Sequence, residues 1–451
     1  MNAYFVGIGG MGMSGIAKIL HTAGGKIAGS DRNLSGEYCR RLGTLGIPIY
    51  PQDGSGLNTS LESFGLRPDQ VVVVKSTAVE DQVPDVVTAR RLGLREIMRS
   101  DLLADMFNAK LGIAIGGTAG KTTTSGLAAW TLKFAGLEPT CAIGGVISGL
   151  DTNAFSGHGG HFVIEADESD GSIVKYRPHI SLLTNISRDH KSLEELEELF
   201  GAFLGHTDPA GMRIVFGEDP NIAKMLPSIG KPVMTYGLTK ASDIYPKNLI
   251  MVPDHSSFTV RSIPFELRIP GIHNVLNSMG ALAMGIFLKI PLETIASAFL
   301  AFPGMKRRFE KFGVANGVTI IDDFAHNPAE IEAAINTARK TSRRRFIVYQ
   351  PHGFGPTRFT RKDLVKVFQS LDSDEFLFLD DIFYGGGTVE KDISSENIIE
   401  EVRQGFPNAF YYGDRHKIVS DIVTQAQSGD MVLVMGARDI NTICQEILDH
   451  L

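Results

Sequence analysis

The stretch Gly116-Gly117-Thr118-Ala119-Gly120-Lys121-Thr122-Thr123-Thr124 constrains this chain more than any other. It follows a short apolar run, Leu111 to Ile115, and precedes a helical pattern over Ser125 to Ala135. Strand, glycine turn, Gly-Lys-Thr and helix is the arrangement of a phosphate cradle. Glycines let backbone N–H groups turn inward and the helix N-terminus adds partial positive charge. Lys121 reaches the phosphates, and the Thr122 hydroxyl can ligate Mg²⁺. The commoner loop has a glycine where this chain has Ile115, so this is the shorter Gly-x-x-Gly-Lys-Thr form. A plain glycine turn with a surface lysine is the alternative; the flanking strand and helix favour the cradle.

A second glycine loop lies at the start. Residues 3–8 read as a buried strand, Gly7-Ile8-Gly9-Gly10-Met11-Gly12 fits G-x-G-x-x-G, and a helical pattern runs through Leu20. The next strand, Lys26 to Gly29, ends at Ser30-Asp31, where an acid meets a ribose hydroxyl in dinucleotide folds. The motif places a nucleotide diphosphate on a helix N-terminus without saying which nucleotide. A nicotinamide dinucleotide is the default, and a UDP group uses the same physics. The strand Val71 to Val74 ends at Lys75-Ser76-Thr77, putting small polar residues at the ligand edge of a parallel sheet. A helix over Ser100 to Phe107 closes this unit.

The second unit carries acids at a strand end. The strand His161–Glu165 runs into Ala166-Asp167-Glu168-Ser169-Asp170. Some of these are turn residues and caps. Glu165, where the apolar strand stops, falls near the phosphate loop and can hold Mg²⁺ directly or through water. The strand Ile180 to Leu183 leads to Thr184-Asn185 and on to Asp189-His190, which places His190 on the same edge. Residues 212–270 read as short strands and turns, followed by the unit's last apolar helix, through Phe287. In it Asn274 and Asn277 share a face; they suit an adenine edge or cap the helix.

The third unit opens with the basic patch Lys306-Arg307-Arg308 before a strand–turn–strand. The strand Val318 to Ile321 ends in Asp322-Asp323-Phe324-Ala325-His326-Asn327-Pro328, and strands then alternate with helices to the end. Loops after these strands carry Gln350-Pro351-His352, Asp380-Asp381 and Gly436-Ala437-Arg438-Asp439. The fold expected is α/β in three domains: a Rossmann-like domain over 1–107, a central P-loop ATPase-type parallel sheet over 108–302, and a Rossmann-like βα domain over 303–451. With 44 basic against 51 acidic residues the net charge is −7, which argues against a nucleic-acid partner. The three scattered cysteines make no metal spacing. With no signal-peptide pattern and no apolar run long enough for a bilayer, a cytoplasmic protein off the membrane is expected.

Several separated segments together resemble the Mur ligase family, the ATP-dependent amide-forming enzymes of peptidoglycan synthesis, and most of all its alanine-adding and murein-peptide recycling branches. These are Phe5–Ser14, Gly29–Asp31, Gly117–Thr124, Glu165–Asp170, Thr184–Ile186 with Asp189-His190, His273-Asn274, Arg307–Glu310, Asp323–His326 and Gln350–His352. The resemblance implies that the first loop (Gly9, Gly10, Met11, Gly12, with Ser30, Asp31, Ser76 and Thr77) holds a UDP-N-acetylmuramate-type substrate. It implies ATP on Gly117, Thr118, Ala119, Gly120, Lys121, Thr122 and Thr123, with Asn274, Arg308, Asp323 and His326 around it. Mg²⁺ falls to Thr122, Glu165 and His190, with Lys121, Glu165 and His190 catalytic. The implied chemistry is an acyl phosphate captured by an amino acid, L-alanine by default, with His352 and Arg358 on the amino-acid side. The chain departs from the pattern at Ala119, where a histidine is usual, at Asn327, and at Gly353 and Pro356, where the alanine-adding enzymes carry arginines. The amine is therefore left open, as is the choice of monomer or homodimer. An NAD(P)-dependent oxidoreductase and a non-catalytic nucleotide-binding protein are the competing readings.

Overall fold

The computed structural model describes every residue except 169–170, 188–190, 231 and 385–389. Its described residues form two compact units. One comprises 1–186, 194–244 and 280–298; the other comprises 187–193, 245–279 and 299–451.

The first unit holds one parallel sheet and one mostly parallel sheet. The N-terminal sheet has the strand order Ile49–Pro51, Ile27–Asp31, Ala3–Val6, Val72–Lys75, Arg95–Met98, all parallel. This is a doubly wound order, reversing at the first strand, whose ligand edge is the carboxyl end of the strands. Apolar residues such as Phe5, Val6, Val73 and Val74 are buried because helices cover both faces. The helix Met11–Thr22 rises from the first glycine loop.

The larger sheet runs Val233–Tyr236, Met212–Phe216, Ile180–Leu183, Leu111–Gly116, His161–Glu165, Thr140–Ile147, Thr152–Phe155. Only the last pair is antiparallel. The strand Leu111–Gly116 is central, flanked by the strands that end at Glu165 and Leu183. Their loops therefore converge on the phosphate loop, as the sequence suggests.

The second unit holds a three-stranded antiparallel sheet (Lys247–Met251, Ser256–Val260, Ile263–Leu267) and a six-stranded sheet. The latter runs Glu310–Ala315, Val318–Asp323, Met431–Met435, Arg345–Tyr349, Glu375–Leu379, Ala409–Tyr411, parallel except at the first, edge strand. Alternate residues feed two cores. Ile321, Ile347 and Leu377 face one, and Val318, Phe346 and Phe378 face the other.

Three details differ from expectation. The helix after the phosphate loop is Lys121–Phe134, beginning four residues before Ser125. Its apolar periodicity starts late, but Gly120, at φ +80°, caps it and brings Lys121 and Thr122 into its first turn. Within 212–270 there is a helix, Pro220–Met225, started by the Asp219 carboxylate accepting from Asn221 and Ile222 N–H. A further apolar helix, Leu292–Leu300, follows the one that ends at Phe287.

Candidate active site

The phosphate loop is held by its backbone. Gly117 adopts φ +129°, and a Cβ there would collide with Thr184 Oγ1, so only glycine fits. The Thr184 hydroxyl donates to the Ala119 carbonyl at 2.7 Å, and Asn185 Nδ2 donates to the same oxygen at 2.9 Å. Asn185 Oδ1 accepts from Ala119 N–H at 3.0 Å and from the Thr118 hydroxyl at 2.7 Å. The loop's shape at Ala119 thus depends on main-chain groups, which an alanine supplies as well as any other residue.

Lys121 is buried at the start of its helix. Its Nζ donates to Gly117 O at 2.7 Å and pairs with Glu168 at 2.8 Å. Burial opposes the charge, but Glu168, Glu165 and Asp167 outweigh it and hold the ammonium above its ordinary value. Glu168, the buried partner of Lys121, is not among the site residues the sequence singles out. It sat among the acids of one loop, with nothing in the spacing to single it out.

Glu165 ends its strand beside the loop. One carboxylate oxygen accepts from the Thr122 hydroxyl at 3.1 Å, and the other accepts from Gly144 N–H at 2.8 Å. A hydroxyl and a carboxylate side by side offer two hard oxygen ligands, which suits an ion that keeps waters and phosphate oxygens for the rest of its shell. The expected third ligand, His190, lies outside the described residues. Among the described residues no group of three metal-binding side chains occurs.

In the same unit the first glycine loop faces this site across a cleft. A cavity of ≈ 150 Å³ is lined by Met11, Gly12, Arg99, Gly144, Glu165 and Asp167, among others. The cleft is fixed by contacts between its walls. Lys18 Nζ donates to Thr152 Oγ1 at 2.9 Å, and Asn153 Nδ2 reaches Met11 O at 3.4 Å. Asp31 accepts from Gly9 N–H at 2.8 Å and Asn33 N–H at 2.9 Å, while the Ser30 carbonyl accepts from Gly7 N–H at 2.8 Å. Asp31 therefore shapes the loop, and the Ser30 side chain is fully buried. Ser76 and exposed Thr77 follow the neighbouring strand at the same edge.

The second unit gathers the other expected residues. Arg307 and Phe309 both have positive φ, +58° and +49°, and flank Arg308. Such non-glycine conformations cost about 1–3 kcal/mol each and persist only where neighbours enforce them. Asp323 enforces this one: its carboxylate accepts from Phe309 N–H at 2.6 Å and Ala325 N–H at 2.7 Å. Burial pushes Asp323 up to about 6, against the pull of Arg308. Asp322, paired to Arg307 at 3.1 Å, is raised by burial to about 6 as well.

His326 and Arg308 share a mostly buried partner, Glu330, at 3.2 and 3.4 Å. Burial opposes the Glu330 charge, but His326 and Arg308 prevail and hold it well below the usual carboxylate range. Glu330 is a second residue that spacing alone did not reveal. Asn327 caps the following helix by accepting from Glu330 N–H at 3.0 Å, a role any short amide or carboxylate fills. Asn274 donates to Pro270 O at 2.7 Å, so its side chain is used within its own helix start. His352 stands beside Arg438, and Arg358 is paired with Asp392.

Sequence profiles of one family cover most of the chain. The Mur ligase family catalytic domain matches residues 2–111, the Mur ligase middle domain 115–285, and the Mur ligase glutamate ligase domain 307–438. A UDP-N-acetylmuramate–L-alanine ligase of Geobacter sulfurreducens is 38% identical over 97% of this chain and 95% of its own length. One from Solibacter usitatus is 35% identical over 99% and 95%. Among solved structures, the UDP-N-acetylmuramate–alanine ligase of Thermotoga maritima superposes with a TM-score of 0.79 at 25% identity, covering 100% of this chain and 98% of that one. A murein peptide ligase of Psychrobacter arcticus has the same fold, with a TM-score of 0.70 at 22% identity over 100% and 98%.

Proposed function

The chain belongs to the Mur ligase family, and we propose that its particular reaction joins an amino acid, with L-alanine the default amine, to the carboxylate of UDP-N-acetylmuramate. It is an ATP-dependent ligase that forms a carbon–nitrogen bond in peptidoglycan synthesis. The observation that carries the reading is the cleft bounded by the first glycine loop on one side and Glu165 with Asp167 on the other. It supports a reading in which a nucleotide-sugar diphosphate on the first loop faces the phosphate to be transferred.

The reaction proceeds in two displacements. A substrate carboxylate oxygen attacks the γ-phosphorus of ATP, and the bond to the bridging oxygen breaks to release ADP. The amine then attacks the acyl carbon. Phosphate leaves carrying that carboxylate oxygen, and the amine gives up a proton. Lys121 supplies buried positive charge where the transferred phosphoryl group becomes more anionic. The loop N–H groups orient the phosphates, and Glu168 keeps Lys121 charged and positioned until they arrive. Thr122 and Glu165 are the residues that would hold Mg²⁺, which would supply neutralising charge to the phosphates when bound.

The test is incubation of the purified chain with ATP, Mg²⁺, UDP-N-acetylmuramate and a panel of amino acids and one tripeptide. Mass spectrometry then reads a product equal to the sum of sugar nucleotide and amine less one water. Absence of such a product for every amine, with or without ADP formation, refutes the reading.

A further inference from the structure

We propose that Arg438 binds the carboxylate of the incoming α-amino acid. This rests on the ligase reading above. Three parallel strands, Met431–Met435, Arg345–Tyr349 and Glu375–Leu379, lie side by side and end at one edge of their sheet. The loops that follow carry Arg438, His352 and Phe383. Phe383 N–H donates to Pro351 O at 2.9 Å and Gly353 N–H donates to Phe383 O at 3.0 Å, which locks the last two loops together. Against them lies the Arg438 guanidinium. Its Nε and Nη2 stand 3.4 Å from the two His352 ring nitrogens, and its carbon is 5.5 Å from the Phe383 ring centre. The backbone beneath it is clamped, because Arg307 donates to the carbonyls of Arg438 at 2.9 Å and Gly436 at 2.6 Å.

Charge pairing sets Arg438 apart. Arg415 is paired with Asp380 and Asp439, Arg307 with Asp322, Arg308 with Glu330, and Arg358 with Asp392. Arg438 is exposed, and its described side-chain partners are two rings. Among the described residues no carboxylate pairs with it. The rings orient the guanidinium without neutralising its charge; His352 faces the Nε–Nη2 edge, which leaves the end of the fork carrying Nη1 for a carboxylate. The neighbouring positions cannot supply that group. Gly353 sits at φ +74°, which a side chain rarely adopts, and Pro356 packs 3.4 Å from where a Cβ at 353 would lie. A cation delivered from the adjacent strand's loop fills the need.

The test compares native chain with Arg438→Ala, using the amino acid of highest turnover and its amide in place of the acid. Arg438→Ala should raise KM for the amino acid roughly 10–100-fold, the scale expected for losing a charge-assisted pair. KM for ATP and for the sugar nucleotide should stay within about twofold, since the loss is local. The native preference for acid over amide should collapse in the variant, and Arg438→Lys should recover part of it. Arg438→Gln, which keeps a planar donor without the charge, replaces Ala if that variant does not fold. An unchanged amino-acid KM together with a retained acid preference overturns the assignment while leaving the ligase reading intact. No turnover of any amine by the native chain overturns both.

Discussion

Replacing Lys121 by methionine removes a buried ammonium from the end of the phosphate loop. Its side chain is 13% exposed and that of its partner Glu168 is 7% exposed, so the substitution leaves a carboxylate buried and unpaired. Breaking such a pair costs about 3–5 kcal/mol when the remaining charge persists. Burial already raises Glu168 above the ordinary carboxylate value, so protonation absorbs part of that cost. The loss of stability should therefore fall below that range, measured as a shift in denaturation midpoint at pH 7. Turnover should fall much further. Removing one preorganised donor from developing charge lowers kcat by roughly 10²–10³-fold. The double variant Lys121→Met/Glu168→Gln separates the two effects, because neutralising both partners restores stability and leaves activity lost. Phosphate release and ADP formation are read in parallel. Turnover within about threefold of native in the single variant, or recovery of activity in the double variant, would refute the role given to Lys121.

Three further outcomes follow from the same geometry. Glu165→Gln keeps the hydrogen bond with Thr122 and removes the charge, so the Mg²⁺ concentration for half-maximal activity should rise about tenfold or more; an unchanged Mg²⁺ titration would contradict it. Gly117→Ala forces a side chain onto Thr184 Oγ1 at φ +129°, so ATP affinity and melting temperature should both drop, read by calorimetry. Asp322 and Asp323 are raised to about 6, so below that pH the carboxylates that pair with Arg307 and hold Phe309 N–H are lost and kcat/KM for ATP should fall on an acid limb. The same shift acts oppositely on stability. The folded state holds these protons more tightly than the unfolded chain, so their contribution favours folding below about pH 4 and is lost as pH rises through about 6. Asp323→Asn should displace the limb; an identical profile would argue that other groups set it.

Much of this site was legible because its parts are local. Glycine spacing, an apolar run and the polar residues just past it name the strand ends, and parallel pairing then carries Glu165 and Leu183 to either side of the Leu111–Gly116 strand. What escaped reading depends on side chains meeting across strands. Nothing in Glu165–Asp170 marks Glu168 rather than Glu165 as the partner of Lys121 until the loop's curvature is known. Glu330 is hidden in the same way, since its partners Arg308 and His326 come from two different loops. Apolar periodicity does not mark a helix start that a cap sets, as at Gly120. The part Ala119 plays is invisible in the sequence because it is made by its carbonyl and N–H.

The central claim is that the sugar carboxylate is activated as an acyl phosphate held between the two loops of the first unit. Isotopic labelling tests it most directly. The muramyl carboxylate is prepared with ¹⁸O, and the reaction is run with ATP and the preferred amino acid. The phosphate released is then weighed by mass spectrometry. The account predicts one ¹⁸O in the phosphate for each amide formed, because the attacking oxygen leaves with phosphorus. Amide formed with unlabelled phosphate would contradict it.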